Sequence, residues 1–200
     1  MHPEHPGGRN CQALTSHIDL IPTLVGLTGA EEDLKSKALE DLPGRDFAPL
    51  LKDPESAKTD AIREGVLFNY VGLQTVDALY MTRVCRDIAH RRFAPPFSEA
   101  KPDMQGRGFI SFVFDGRYKF SRYYAPDNFN TLTTLEALLA HNEIELFDLK
   151  TDPDEVKNLG IDTKANKDLI MRMNDLLNRM IAKEVGVNDG EWLQKVIRTY

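Results

Sequence analysis

Side chains able to do chemistry are few and scattered in this 200-residue chain. His17 stands two residues before Asp19, a pairing of imidazole and carboxylate suited to proton transfer. At a helix start an i, i+2 pair diverges, so Asp19 is expected to cap a helix instead, accepting from the orphan first-turn N–H groups. Arg83, Arg86, His90, Arg91 and Arg92 form a basic cluster that could receive an anion or an acidic surface. Asp87 lies within helical pairing reach of Arg83 and Arg91, so a solvated helix face is the plainer expectation. Asp152, Asp154 and Glu155 gather three acids around Pro153, which suits a turn better than a cation. His2 and His5 have no carboxylate or thiolate partner at ligand spacing. Cys11 and Cys85 are the only cysteines; both are expected as free thiols, with Cys85 buried. No Gly-x-Ser-x-Gly, phosphate-binding glycine loop or His-Glu-x-x-His occurs, and the residues by themselves form no catalytic constellation.

Composition narrows the function classes further. With 25 Lys and Arg against 31 Asp and Glu, the net charge of −6 argues against a dedicated nucleic-acid binder. Hydrophobic residues at 42% and charged residues at 28% are enough to bury a core without a disulfide or metal staple. No run approaches the roughly 18 apolar residues of a membrane span, and the first residues carry Pro, Gly and His where a signal peptide would be apolar. No membrane partner is expected, and the compartment stays open.

The elements that must position these residues follow from periodicity and punctuation. Asp19, Pro22 and Gly29 bracket a short buried helix with Leu20, Leu24 and Leu27 as its stripe. Glu31 to Pro43 is charged and exposed, and Asp46 caps a short turn that carries Phe47, Leu50 and Leu51 inward. Glu64 to Tyr70 has strand composition; residues 74–92 suit a helix with Val76, Leu79, Tyr80, Val84 and Ile88 on one side; residues 93–108 suit a loop. Phe109–Phe114 and Tyr118–Tyr124 flank Asp115-Gly116, the strongest short-range hairpin signal. Thr133 to His141 suits a helical turn or two, and Glu143 to Leu149 a third antiparallel strand. Lys164 to Val185 is an amphipathic helix stopped by Gly186, and Glu191 to Tyr200 a last short helix around Trp192.

Four of these segments, in order, resemble the sulfatase family. Ser16-His17-Ile18-Asp19-Leu20-Ile21-Pro22-Thr23-Leu24 is similar to the family's Asp-x-x-Pro-Thr-Leu helix. Leu42-Pro43-Gly44-Arg45-Asp46-Phe47-Ala48-Pro49-Leu50-Leu51 resembles the segment that follows it. Asp115-Gly116-Arg117-Tyr118-Lys119-Phe120 resembles the last hairpin. Glu145-Leu146-Phe147-Asp148-Leu149, with Asp152, Pro153, Glu155, Asn158 and Leu159, resembles the closing strand, and that last string is the most specific. The stretch at about residues 70–108 matches nothing in the family pattern and reads as a variable insertion.

The resemblance implies the C-terminal part of an arylsulfatase-like hydrolase of the alkaline-phosphatase superfamily. The implied fold is α+β, a small antiparallel sheet packed against a long C-terminal helix, plus a remnant of a larger α/β domain. Residues 1–60 would be the edge of that large domain and residues 61–200 the C-terminal subdomain. Family members use a formylglycine, made from a Cys or Ser in Cys-x-Pro-Ser-Arg, and a divalent cation, usually calcium. Neither Cys11 nor Cys85 sits in such a motif, so the resemblance carries no catalytic or metal residue into this chain and implies no cofactor within it. Asp19, Pro22, Gly44, Asp115, Gly116, Asp148, Asp152, Pro153 and Asn158 match positions that shape the fold. Arg83, Arg86, His90, Tyr123 and Tyr124 are the substrate-facing candidates, with strand packing the favoured account of the tyrosines. The expected partner is the N-terminal sulfatase domain. The alternatives are a related phosphate or phosphonate ester hydrolase and a free-standing module that oligomerises through an apolar face.

Overall fold

The computed structural model describes residues 7–90, 102–126 and 131–186; the basic pair Arg91 and Arg92, the proline-rich part of the 93–108 loop, His2, His5 and the helix expected from Glu191 lie outside them. The chain forms two compact units. One holds the chain up to Leu67 together with Phe114–Arg117, and the other holds the remainder. Among the described residues no helix is long and apolar enough to cross a membrane.

The first unit is small and helical. A 3-10 turn at His17–Asp19 runs into α1 (Leu20–Gly26), with Pro22 in its first turn, where the missing N–H breaks no bond. Thr28 follows, and Gly29 takes the left-handed conformation at φ 67°. The charged stretch after it folds as α2 (Glu32–Leu39), which buries no residue. The expected Asp46 cap falls one residue off: Phe47 holds the N-cap position of a 3-10 turn at Ala48–Lys52, with no side-chain cap bond, and Asp46 before it accepts from the Ala48 N–H through Oδ1 at 2.7 Å. Leu14 is buried here, its N–H donating to the Thr59 carbonyl at 2.8 Å.

The expectation that α1 is a buried helix fails in an informative way. Leu20 and Leu24 are 53% and 55% exposed, while Asp19, Pro22 and Thr23 are buried. The apolar stripe exists, but this chain covers the opposite, polar side.

The second unit is α+β. The antiparallel sheet, most of whose residues belong to this unit, has the order β1-β2-β3-β4, from β1 (Val66–Tyr70), β2 (Phe109–Phe114), β3 (Tyr118–Tyr124) and β4 (Asn142–Asp148). The β2–β3 hairpin turns at Asp115-Gly116, where Gly116 has φ 95° and Asp115 Oδ1 accepts from the Arg117 N–H at 2.9 Å. β3 pairs with β4 from Tyr118 opposite Asp148 to Tyr124 opposite Asn142. Helix α3 (Leu73–Val76) and helix α4 (Ala78–Ala89) replace the single helix expected over 74–92. The break is at Asp77, whose Oδ1 caps α4 through the Tyr80 N–H at 2.8 Å. Leu79 and Ile88 on α4 are exposed, so that stripe is not packed either. Thr134 caps α5 (Leu135–His141), its hydroxyl accepting from the Ala137 N–H.

Among the described residues, helix α6 (Lys167–Glu184) supplies more of the core than any other element. Ile170, Met173, Leu177 and Met180 are sealed with Val113 and Phe120 from the sheet and Leu138 from α5, and α6 packs on β3. A polar chain crosses this packing. Arg122 Nη1 on β3 donates to Asn174 Oδ1 at 3.1 Å and Asn178 Oδ1 at 2.9 Å. Both amides then donate to the Leu132 carbonyl, at 2.7 and 2.9 Å. Burial brings the Arg122 guanidinium down to about 10 from 12.5.

Gly44 shows how closely the first unit is built. A Cβ there would lie 1.9 Å from the Ile18 carbonyl oxygen, a backbone atom that cannot move aside alone. Gly44→Ala is therefore expected to cost about 1–3 kcal/mol as an overpacking change. Gly7→Ala, with nothing within 4 Å of the new methyl, should be near neutral. Urea denaturation midpoints of the two variants make the comparison, and equal midpoints would refute it.

Candidate functional site

Asp19 is fully buried, and its carboxylate is spent on long-range partners rather than on capping α1. Arg63 closes on it with two donors, Nε to Oδ2 at 2.9 Å and Nη2 to Oδ1. The Arg45 N–H donates to Oδ1 at 2.8 Å and the Ser16 N–H to Oδ2 at 2.8 Å. Arg63 is itself only 1% exposed. Thr23 extends the node, donating to the Asp19 carbonyl at 2.7 Å and accepting from the Phe47 N–H at 3.0 Å. Arg45 Nη1 donates to the Ile62 carbonyl. Asp19 and Pro22 thus meet Gly44 and Arg45, which lie much further along the sequence, at one place. The node binds segment to segment, and its four donors occupy both oxygens of the carboxylate.

In the second unit, Tyr123 opens onto a cleft of about 610 Å³ lined by Arg107, Asn142, Glu145, Asn158 and Gly160 among others. The Tyr123 hydroxyl donates to Glu145 Oε2 at 2.7 Å. Burial, and then this bond to a carboxylate, push the phenol up to about 12, so it keeps its proton at neutral pH and is no general base. Arg107 Nη2 donates to the Ala140 carbonyl at 3.0 Å, and its Nη1 lies 3.6 Å from Glu143 Oε1. Asn158 clamps the floor: Oδ1 accepts from the Leu146 and Gly160 N–H groups at 2.9 and 2.8 Å, and Nδ2 donates to the Ile144 carbonyl at 3.3 Å. The buried Asn142 Nδ2 has no partner among the described residues. The cleft offers hydrogen-bond donors and acceptors without a nucleophile.

The other candidates do not converge on it. Tyr124, next along the strand, points to the opposite face. It is buried, its hydroxyl 3.0 Å from Ser111 Oγ and its ring edge-on to Phe109 at 6.0 Å. Arg83 lines a separate cleft of about 440 Å³ with Asp77 and Asp103. There the Asp103 and Tyr80 N–H groups, in that order, hold the Asp77 carboxyl below its ordinary value. Arg86 and His90 lie exposed on α4 and just beyond it. Asp87 was expected within reach of Arg83 and Arg91; among the described residues its ion pair is with Arg86, at 3.9 Å, and Arg91 lies outside them. Cys85, expected to be buried, is exposed, because α4 buries none of its residues; both cysteines are free.

The acidic residues of the closing turn serve the backbone. Asp148 Oδ1 accepts from the Lys150 N–H at 3.2 Å, and the Asp148 carbonyl from Thr151 and Asp152. Asp152 holds the Val156 and Lys157 N–H groups at 3.1 and 2.8 Å, wrapping the turn at Pro153. Glu155, at φ 55°, reaches Lys119 Nζ at 2.5 Å. Among the described residues no group of three His, Cys, Asp or Glu could hold a metal ion. Arg63, Arg122, Asn174 and Asn178 are the residues that local sequence patterns missed; a basic residue inside an otherwise apolar alternation at Arg122 was the one available signal.

Comparison with known proteins sets this arrangement in context. No family model matches the sequence, and no curated protein matches it. A solved structure in complex with its substrate, D-glucosamine-2-N,6-O-disulfate, matches 86% of this chain and 25% of its own, at 16% identity and a TM-score of 0.50. In fold, this chain is sulfatase-like. A Bacteroides thetaiotaomicron protein assigned as a sulfatase matches at 21% identity, covering 87% of this chain and 25% of that one, with a TM-score of 0.46. The phosphonate monoester hydrolase of Agrobacterium radiobacter matches at 18% identity, covering 86% and 26%, with a TM-score of 0.47. The chain therefore spans about a quarter of the length of the solved structures it matches.

Two measurements test the geometry. Arg63→Met leaves a buried, uncompensated carboxylate and should cost about 3–5 kcal/mol, most of it recovered in Asp19→Leu/Arg63→Met; denaturant midpoints that ignore Arg63→Met would contradict the node. Tyr123 has a folded value raised above 10.0, so its contribution to stability is complete below pH 10 and is lost as pH rises through about 12. Alkaline phenolate absorbance should show late titration from two tyrosines, Tyr123 and Tyr124, whose phenol burial also raises; Tyr123→Phe should remove one of the two, and Glu145→Gln should bring that one earlier.

Proposed function

We propose that this chain is the C-terminal part of a sulfuric-ester hydrolase and is inert by itself. The observation that carries this reading is the fold likeness, which spans 86% of this chain but only 25% of a chain solved with a disulfated glucosamine substrate. In support, Asp19, Asp148, Asp152 and Asn158, the most motif-like polar residues, all spend their side chains on backbone or ion-pair partners. On this reading, residues 1–60 belong to the edge of the large domain and residues 61–200 form the subdomain, with about 70–108 as its variable insertion.

The formylglycine and the divalent cation of such enzymes do not fit the residues here. No described cluster could hold a metal, and Cys11 is followed by Gln12-Ala13-Leu14 rather than x-Pro-Ser-Arg. No chemical step is assigned to this chain, whose part would be to complete and support the domain that carries the reaction. Its partner is that N-terminal domain; neither nucleic acid nor membrane is proposed.

The purified 200-residue chain, given an aryl sulfate with calcium, is expected to show no turnover above buffer. Turnover by the chain alone would overturn the reading. So would an upstream coding sequence without Cys/Ser-x-Pro-Ser-Arg, and hydrolysis of phosphonate but not sulfate esters by the longer protein would redirect it to the sister activity.

A further inference from the structure

Helix α1 is inside out for a helix at the surface of this chain. Its seven residues, Leu20-Ile21-Pro22-Thr23-Leu24-Val25-Gly26, include no charge. At 3.6 residues per turn, Leu20, Ile21 and Leu24 share one side and Asp19, Pro22 and Thr23 the other. The chain buries the second side: Asp19 and Thr23 are 0% and 3% exposed. The first faces solvent, with Leu20, Ile21 and Leu24 at 53%, 57% and 55% exposure and Ile18 adjoining them at 36%. A surface helix ordinarily turns its polar side to water. Here the polar side is held inward by the Arg63, Arg45 and Thr23 contacts of Asp19, so rotating the helix to hide the leucines would strand a buried ion pair.

We infer that Ile18, Leu20, Ile21 and Leu24 form the seam on which the catalytic domain of the parent hydrolase packs. This rests on the proposed reading of the chain as part of a longer enzyme. The occupant is chosen by two features of the page's chemistry and extent. The face is apolar and uncharged, as the interior of a domain is and as a transient, polar-rimmed partner site is not. The solved structures that share the fold continue for about three quarters of their length outside the match, so the body required to cover such a face exists in them.

Hydrogen exchange on two proteins tests this: the 200-residue chain, and the longer polypeptide read from the coding sequence that extends upstream of it. In the longer protein the amides of residues 20–27 should exchange about tenfold or more slowly than in the chain alone, since exposed helices open locally at little cost. Leu20→Asp/Leu24→Asp should abolish that protection in the longer protein and leave the thermal midpoint of the chain alone unchanged. Equal exchange in both wild-type proteins would overturn the seam, even if the longer protein hydrolyses an aryl sulfate and the proposed function stands. Concentration-dependent protection in the chain alone would assign the face to a second copy and overturn the occupant. A longer protein that hydrolyses no ester would remove the parent reading and the seam with it.

Discussion

A polar group removed from water must find its partners inside the protein, and the most consequential contacts here answer that demand. The Asp19 carboxylate is lined by two arginine donors and two backbone N–H groups, which fill its two oxygens. Those four donors come from Ser16, Arg45 and Arg63, so one carboxylate gathers three separate stretches of the first unit. Were any of them withdrawn, the remaining charge would be buried without compensation, and that penalty keeps the segments together. This gathering brings Gly44 so close to the Ile18 carbonyl that only a residue without a Cβ fits there.

The second unit follows the same rule less completely, with Arg122 Nε and Asn142 Nδ2 buried and without a partner among the described residues. Its core is apolar, from Val113 and Phe120 to Ile170 and Met180, and the polar chain through Arg122, Asn174 and Asn178 threads it. No carboxylate faces the Arg122 guanidinium in those bonds; two amide oxygens do, and burial lowers its proton affinity accordingly. The two asparagines turn the same bonds into a tie between α6 and the Leu132 carbonyl, locking the helix in rotation and register. Asn158 plays a comparable part at the end of β4, where one side chain satisfies three backbone groups of the closing turn.

Satisfied this completely, the motif residues have little left for catalysis. Asp148 and Asp152 look like cation ligands in a list of residue types, yet their oxygens are aimed at neighbouring N–H groups. Tyr123 holds its proton, and Tyr124 is packed away. What the chain presents outward is an apolar helix side in one unit and a polar cleft in the other.

Local pattern by itself determined the elements whose causes are local. Asp115-Gly116 specified the hairpin because its turn needs a left-handed glycine, and the 3.6-residue period from Leu169 to Ile181 specified α6 because one stripe must meet a core. The Asp152-Pro153 turn was legible for the same reason. Tertiary structure alone decided what depends on distant partners. Arg63 lies 44 residues from Asp19, and Arg122 lies 52 from Asn174, separations over which no periodicity carries a signal. The stripe of α1 was visible in the sequence, but which body covers it was not. An apolar pattern records that a side must leave water, and only the packed chain shows that Leu20 and Leu24 are left uncovered by the described residues.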